Sequence, residues 1–552
     1  MADGLRGVPV RAMRPLLLWV IALALATAGW ASSAASHASV EAHEADSVAA
    51  AVAQALVEPV EPASPQQARA EIAAVDAIGA TRWRAAGFTG YGVRVAVVDT
   101  GFAGFEAFRG NGMPANVQAR SFRGDGSMDG EGPHGTTAAR IVASIAPDAE
   151  LYLVNFSTVS ELSAAVDYLI AERVQVVSFS VGYAHNGPGN GTGSVDDIVS
   201  RATAKGMFWS VAAGNWAQQH WAGTFADRNG NSVHEFMPGI EELGRAYQTG
   251  DLIRVSMRWD DPWGGACNDY DLELLGPDGA LVRASRGVQS CKGDPVENIQ
   301  VLATRDGRYR VRIVRAGAVP RRLDVLMLGT PDRGDAVDLP VTAGSVSEPA
   351  DNRSVFTVGA ATAALPVEIA RYSSRGPTLD GRSKPDLIAP TGPNAEALTG
   401  GTSAAAPHAA GAAALLLDAL PQATAQEVAS QLRARAQRLP APAVEAEVGA
   451  GALDLAGLTN VGPLLPADAA RARLTNITPP DAPIAVYRYR GPSAYPARFL
   501  RLLLPGQRPV ATYRLDFARG RFDTFVTRAP SVANSFELVS DGDLLFVTFR
   551  AP

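Results

Sequence analysis

Val95-Ala96-Val97-Val98-Asp99-Thr100-Gly101 is a run of apolar residues closed by a carboxylate, a hydroxyl and a glycine. A short run that is apolar at every position, rather than at alternate ones, reads as a strand covered on both faces, the habit of parallel sheets. Four more runs have this character: Leu151–Val154, Val174–Phe179, Met207–Ala212 and Ser354–Gly359. Between and after them, helical spacing predicts His134–Ile145, Leu162–Ala171, Ser194–Ala204, Ser403–Leu420 and Ala425–Ala436. Strand and helix in alternation specify an α/β fold with a doubly wound parallel sheet. Ligands of open α/β sheets bind beyond the carboxyl ends of the strands, which is where Asp99 stands.

Two further segments complete a chemistry. His134-Gly135-Thr136-Thr137 opens a helix, and Gly401-Thr402-Ser403-Ala404-Ala405-Ala406-Pro407-His408 sets a hydroxyl at the mouth of an alanine-rich one. Unpaired amides at a helix start favour negative charge, so Ser403 lies where an oxyanion can form. An acid, an imidazole and a serine at the ends of three elements suit nucleophilic acyl transfer. The serine attacks, the histidine takes its proton, and the acid fixes the tautomer. Ala212-Ala213-Gly214-Asn215 follows the strand ending near Val211 and supplies an amide to aim at the oxyanion.

In this chain order, Asp99, His134 and Ser403 resemble the subtilisin-like serine proteases and not the chymotrypsin or α/β-hydrolase arrangements. Ser178-Phe179-Ser180-Val181-Gly182, Tyr372-Ser373-Ser374-Arg375-Gly376-Pro377, Lys384–Pro390 and Val448-Gly449-Ala450-Gly451 carry the same likeness, which covers about half the chain. The resemblance implies a secreted endopeptidase with Asn215 in the oxyanion hole. It also implies that Ser180, Val181 and Gly182 pair with an extended peptide, and that Ala213 and Gly214 wall the primary specificity pocket. The implied partner is a peptide or protein substrate, with no cofactor required for catalysis. Two other classes stay open: a catalytically inactive binding or adhesion relative, and a hydrolase of esters or non-peptide amides.

Composition is compatible with this. The 552 residues carry 49 Lys+Arg against 56 Asp+Glu, a net −7 without a long basic run, which argues against nucleic acid as a partner. The chain begins with Arg6, Arg11 and Arg14, an apolar stretch from Pro15 to Ala26, and small residues through Ala35. That is the pattern of a secretory signal peptide, too short for a permanent membrane span; residues 1–38 are assigned to it and 39–75 to a short pro-segment or linker. Export in turn favours a disulfide between the two cysteines, Cys267 and Cys291, with free buried thiols as the alternative.

The likeness is interrupted. Catalytic-type sequence occupies 76–215 and 346–460. Between them, 216–345 changes to period two, as in Leu252–Trp259 and Tyr309–Val314, with a turn at Gly276-Pro277-Asp278-Gly279. This predicts an inserted antiparallel β-sandwich, and it resembles the pre-peptidase C-terminal type domains of secreted bacterial peptidases. Asp260, Asp261, Asp269 and Asp271 have the chemistry for a structural calcium, and equally for solvated loops. Residues 461–552 read as a small β-rich region. His408 reads as a packed helix residue, Ser374 as a turn residue, and His185, His220 and His234 as surface residues.

Overall fold

The computed structural model describes residues 75–85, 87–330, 334–362, 367–391, 400–440 and 444–456, with five further strands between 473 and 549. The leader and most of the pro-segment expected from the sequence lie outside these residues. Among the described residues no helix is long and apolar enough to cross a membrane.

A seven-stranded parallel sheet forms the centre. Its strands are β1 (Arg94–Asp99), β2 (Gln118–Ser121), β3 (Glu150–Asn155), β4 (Val176–Phe179), β5 (Phe208–Ala212), β14 (Phe356–Thr362) and β15 (Leu387–Thr391), in the order β15-β14-β5-β4-β1-β3-β2. β1 pairs in parallel with β3 and β4 on its two sides. Its alternate residues enter two separate cores, Val95 and Val97 on one face, Ala96 and Val98 on the other. The first core is closed by α2 (His134–Ile145), α5 (Thr402–Ala419) and α6 (Ala425–Arg435), the second by α3 (Val159–Ala171) and α4 (Ser194–Thr203). The short helices α1 (Ala80–Ala85) and α7 (Glu445–Val448) lie outside this alternation. α2 and α5 approach closely because Gly411 meets Ile145; a Cβ there would stand 2.8 Å from that of Ile145.

Eight strands lie between β5 and β14. β6 (His220–Thr224), β8 (Leu252–Trp259), β11 (Val296–Leu302) and β13 (Arg322–Thr330) form one antiparallel sheet. β7 (Leu243–Tyr247), β9 (Tyr270–Leu275), β10 (Leu281–Ser285) and β12 (Gly307–Arg315) form the other. One core takes residues from both, including Met257, Tyr270, Ile313 and Val325, so the two sheets face each other as a sandwich. Cys267 and Cys291 are disulfide-bonded on its exposed side. The four aspartates considered for calcium do not gather. Asp261 is taken up by the amides of Cys267 and Asn268 and by Arg321, and Asp260 accepts from the Arg322 amide. Among the described residues no group of three or more acidic, histidine or cysteine side chains is placed to hold a metal.

Beyond residue 460, β16 (Arg473–Asn476), β17 (Ala485–Arg490), β18 (Pro509–Asp516), β19 (Arg521–Val526) and β20 (Leu544–Phe549) make a five-stranded antiparallel sheet.

One reading is overturned. His185, His220 and His234 are all buried, at 5%, 1% and 1% exposure. His234 packs between Trp221, Phe225 and Phe236. His185 and His220 join an ionic cluster where β8 and β13 lie against the loop after β4. His220 faces the Val341 carbonyl with Nδ1 and the Asp324 carboxylate with Nε2, at 2.5 Å each. Arg258 donates to Asp324 at 3.1 Å, to Glu348 at 2.7 Å and to the Gly187 carbonyl at 2.9 Å. Polar residues at these positions look like surface in the sequence because their partners are up to 104 positions away.

Candidate active site

The three residues of the predicted acyl-transfer set lie at one edge of the parallel sheet. Asp99 ends β1 and is fully buried. His134 opens α2, and its Nδ1 is 2.9 Å from both carboxylate oxygens of Asp99. The next residue must be glycine: a Cβ on Gly135 would come within 2.6 Å of the Phe102 ring and 2.8 Å of Asp99 Cβ. The Gly135 amide donates to the Gly101 carbonyl at 2.9 Å, which ties the start of α2 to the end of β1.

Ser403 stands in the first turn of α5. Pro407, four residues on, has no N–H, so the Ser403 carbonyl lacks its usual helical donor. The Ser180 hydroxyl takes that place, donating to Ser403 O at 3.1 Å, and the Ser403 hydroxyl donates back to Ser180 O at 3.5 Å. This long bond is the hydrogen bond of the Ser403 hydroxyl here; the structure does not join it to His134. Apo sites often hold such bonds loosely, and catalytic hydrogen bonds tighten only when substrate is bound.

Asn215 supplies the missing cap of α5. Gly401 has no side chain to cap with, and Asn215 Oδ1 instead accepts from the Thr402 amide at 2.9 Å and the Thr402 hydroxyl at 3.0 Å. An amide N–H can only donate, so the oxygen of Asn215 is fixed there and its Nδ2 is turned toward Gly401 and the helix start. If this group stabilises an oxyanion, Asn215→Ala lowers kcat by about 10²–10³ while KM changes little. It also removes a helix cap worth about 1 kcal/mol, so the assay is read beside a thermal melt. Unchanged kcat would remove Asn215 from the oxyanion site.

The electrostatics favour the imidazolium. The Asp99 charge lifts His134 above its ordinary 6.5, against the opposing effect of burial, and Glu131 adds to the lift. Glu131 was not legible as a site residue, since only its place three residues before His134 marks it. Burial pushes its own carboxyl up, countered by Arg123 and by Arg254 of β8. A general base must be neutral to act, so kcat/KM should fall as pH drops through a value above 6.5. Removing the Glu131 charge weakens the preference for the imidazolium. Glu131→Gln therefore moves that acid limb to lower pH, a shift that pH–rate profiles of the two proteins resolve; coincident limbs would refute it.

The remaining sequence candidates flank Ser403. Ser180, Val181 and Gly182 run past the end of β4, with Gly182 exposed and the other two half-buried. Ala213 and Gly214 follow β5; Gly214 has φ of 103°, and its amide donates to the Thr402 hydroxyl at 3.1 Å. His408 is buried and donates from Nδ1 to the Ala404 carbonyl, and burial takes it down to about 4, so it is a neutral packed residue. Ser374 is buried with its Oγ accepting from the Trp216 amide at 3.0 Å.

Comparison with known proteins bears on the fold. The subtilase family model matches residues 90–235 and 338–451. Alkaline elastase YaB of Bacillus sp. (strain YaB) is 30% identical over 139 residues, 23% of this chain and 35% of the relative. Minor extracellular protease Vpr of Bacillus subtilis (strain 168) is 23% identical over 396 residues, 62% of this chain and 48% of the relative. The chain thus spans between about a third and a half of the length of these two relatives. Among solved structures, the Clostridium perfringens CspB protease superposes with a TM-score of 0.51 at 18% identity, covering 69% of this chain and 98% of that one, a likeness of fold. The parallel sheet and the family match converge, and over residues 90–235 and 338–451 the chain matches the subtilase family.

Proposed function

We propose that the chain is an exported serine endopeptidase that cleaves peptide bonds through an acyl-enzyme. The observation that carries the reading is the buried Asp99 carboxylate 2.9 Å from His134 Nδ1, beside a serine in the first turn of a helix. Ser403 Oγ attacks the peptide carbonyl and passes its proton to His134 Nε2. Asp99 holds the imidazole through Nδ1 and stabilises the cation. The tetrahedral oxyanion accepts from Asn215 Nδ2 and from the Ser403 amide, which in the first helical turn has no intrahelical acceptor. His134 then protonates the leaving amine, and water repeats the sequence to release the acyl group. Export is supported by the amino-terminal pattern, by the disulfide, and by the extracellular relative from Bacillus subtilis.

Fluorophosphonate labelling followed by digestion of a mixed peptide library tests this. Label on Ser403 and cleaved peptides are the expected result. Absence of label would return the chain to the inactive binding class, and label without peptide cleavage to the ester or non-peptide amide class.

A further inference from the structure

Two chain segments set the geometry of the Asp99–His134 pair. Thr100–Ala103 follows the acid, and Ser127–Pro133 leads into the histidine. Their main chains are fastened together: the Phe102 amide donates to Met128 O at 2.8 Å, the Ala103 amide to Gly132 O at 3.0 Å, and the Glu131 amide to Thr100 O at 3.3 Å. The approach is close enough to require glycine. A Cβ on Gly101 would collide with Asp129 O, and one on Gly130, whose φ is 51°, with Thr100 O. Glu131, whose charge adds to the lift on His134, belongs to the second segment.

A third element reaches into this clasp. Asn155 ends β3 and is the register partner of Asp99 in the parallel pair with β1. It is 0% exposed, and its Nδ2 donates to Ser127 O at 2.7 Å and to Met128 O at 3.1 Å. Carbonyl oxygens can only accept, so the amide nitrogen is fixed on them. The amide oxygen is then buried with no hydrogen-bond partner among the described residues. A buried oxygen without a donor costs stability, so packing alone gives no reason for an amide at this place. Nor do the two carbonyls depend on it. Ser127 O also accepts from the Ser121 hydroxyl at 3.1 Å, and Met128 O from the Phe102 amide. What Asn155 adds is a tie between the strand beside Asp99 and the segment that delivers His134 and Glu131.

We infer that Asn155 is a positioning residue for the acyl-transfer chemistry: it holds Ser127–Pro133 against the end of β1 and so fixes His134 and the Glu131 charge relative to Asp99. The inference rests on the endopeptidase reading above and adds a residue to its machinery. Asn155 acts through the segment it holds and not on the reacting atoms.

The test uses the full chain carrying Asn155→Leu, which keeps the volume and removes both donors. Each carbonyl retains one donor, so the variant should fold. With active sites counted by fluorophosphonate titration, kcat on a tetrapeptide p-nitroanilide should fall by about 10- to 100-fold, the scale on which small misplacements lower turnover, while KM stays within about twofold. The acid limb of kcat/KM should move to lower pH, because an imidazole held less closely to Asp99 and Glu131 loses part of its lift. Glu131→Gln should then shift that limb less in the Asn155→Leu background than in the parent. Asn155→Ala carries the same readouts should the leucine variant fold poorly. A purely structural role predicts a lower melting temperature with kcat per labelled site and the acid limb unchanged. That result in either folded variant overturns the inference and, with Ser403 still labelled, leaves the endopeptidase reading standing. Absence of label from the parent removes the endopeptidase reading and the inference with it.

Discussion

Ser403→Ala is expected to lower kcat by about 10⁶-fold and to abolish fluorophosphonate labelling. The size follows from the absence of a substitute: Ser180 Oγ is engaged with Ser403 O, and Ser374 Oγ is buried on the Trp216 amide. What remains after substitution is the oxyanion site and substrate binding, which together retain a modest residue of catalysis. Folding should survive, because the lost hydroxyl makes one 3.5 Å bond and stands among alanines and Thr402 at a helix start. Thermal melts of parent and variant should therefore superpose while turnover of a tetrapeptide anilide separates them. A variant that labels like the parent would end the assignment of Ser403.

Arg258→Ala should cost about 3–5 kcal/mol of stability, read by urea denaturation. The loss is that of a shared partner: Asp324 and Glu348 have side chains only 3% exposed, and both bond this guanidinium. The two respond to it unequally. Asp324 also lies against His220 Nε2 and is held well below the usual carboxylate range despite burial. Glu348 shares Arg258 and also faces Asp351 and Asp196, so burial pushes it up. A depressed carboxylate contributes stability at pH values above its unfolded value near 4, and that contribution is lost as pH falls through the lower folded value. Asp324 should therefore hold its contribution into mild acid, whereas Glu348 works in the opposite sense as pH rises. Exchanging Arg258, Asp324 and Glu348 together for apolar residues of like volume should restore much of the loss, since the penalty lies in the unpaired charge. Unchanged urea midpoints for Arg258→Ala would show that the cluster contributes nothing.

Where side chains repeat locally, the sequence was legible. α2 was readable to the residue, and α3 to α6 and the five central strands to within three residues at each end, because their apolar runs are dense. β2 and β15 were missed for opposite reasons. Gln118–Ser121 is a polar edge strand that looks like loop, and Leu387–Thr391 carries Pro390, which reads as a break. Asp99, His134 and Ser403 were visible through short motifs whose chemistry is local. Glu131 was not, because it acquires its effect on His134 only through the fold, with Arg254 of β8 brought in against it. The buried histidines failed in the same way: a histidine in a β-rich segment carries no sign of an aspartate 104 positions downstream.

The segment between β5 and β14 also governs how the chain can reach its native state. Ser210 of β5 pairs with Phe356 of β14, 356 − 210 = 146 positions later, so the central sheet contains a contact of high sequence separation. Bringing such ends together in an open chain carries an entropy cost of about 4 kcal/mol, growing only slowly with length, and contacts of this kind slow folding. The sandwich has its own core and its own strand pairing, and its two ends meet where the Ser347 amide reaches the Ala213 carbonyl. Once folded, it converts a distant pairing into a near one, leaving β14 poised beside β5. A sandwich that collapses first would thus act as a kinetic bridge, shortening the span of open chain that the central sheet must close.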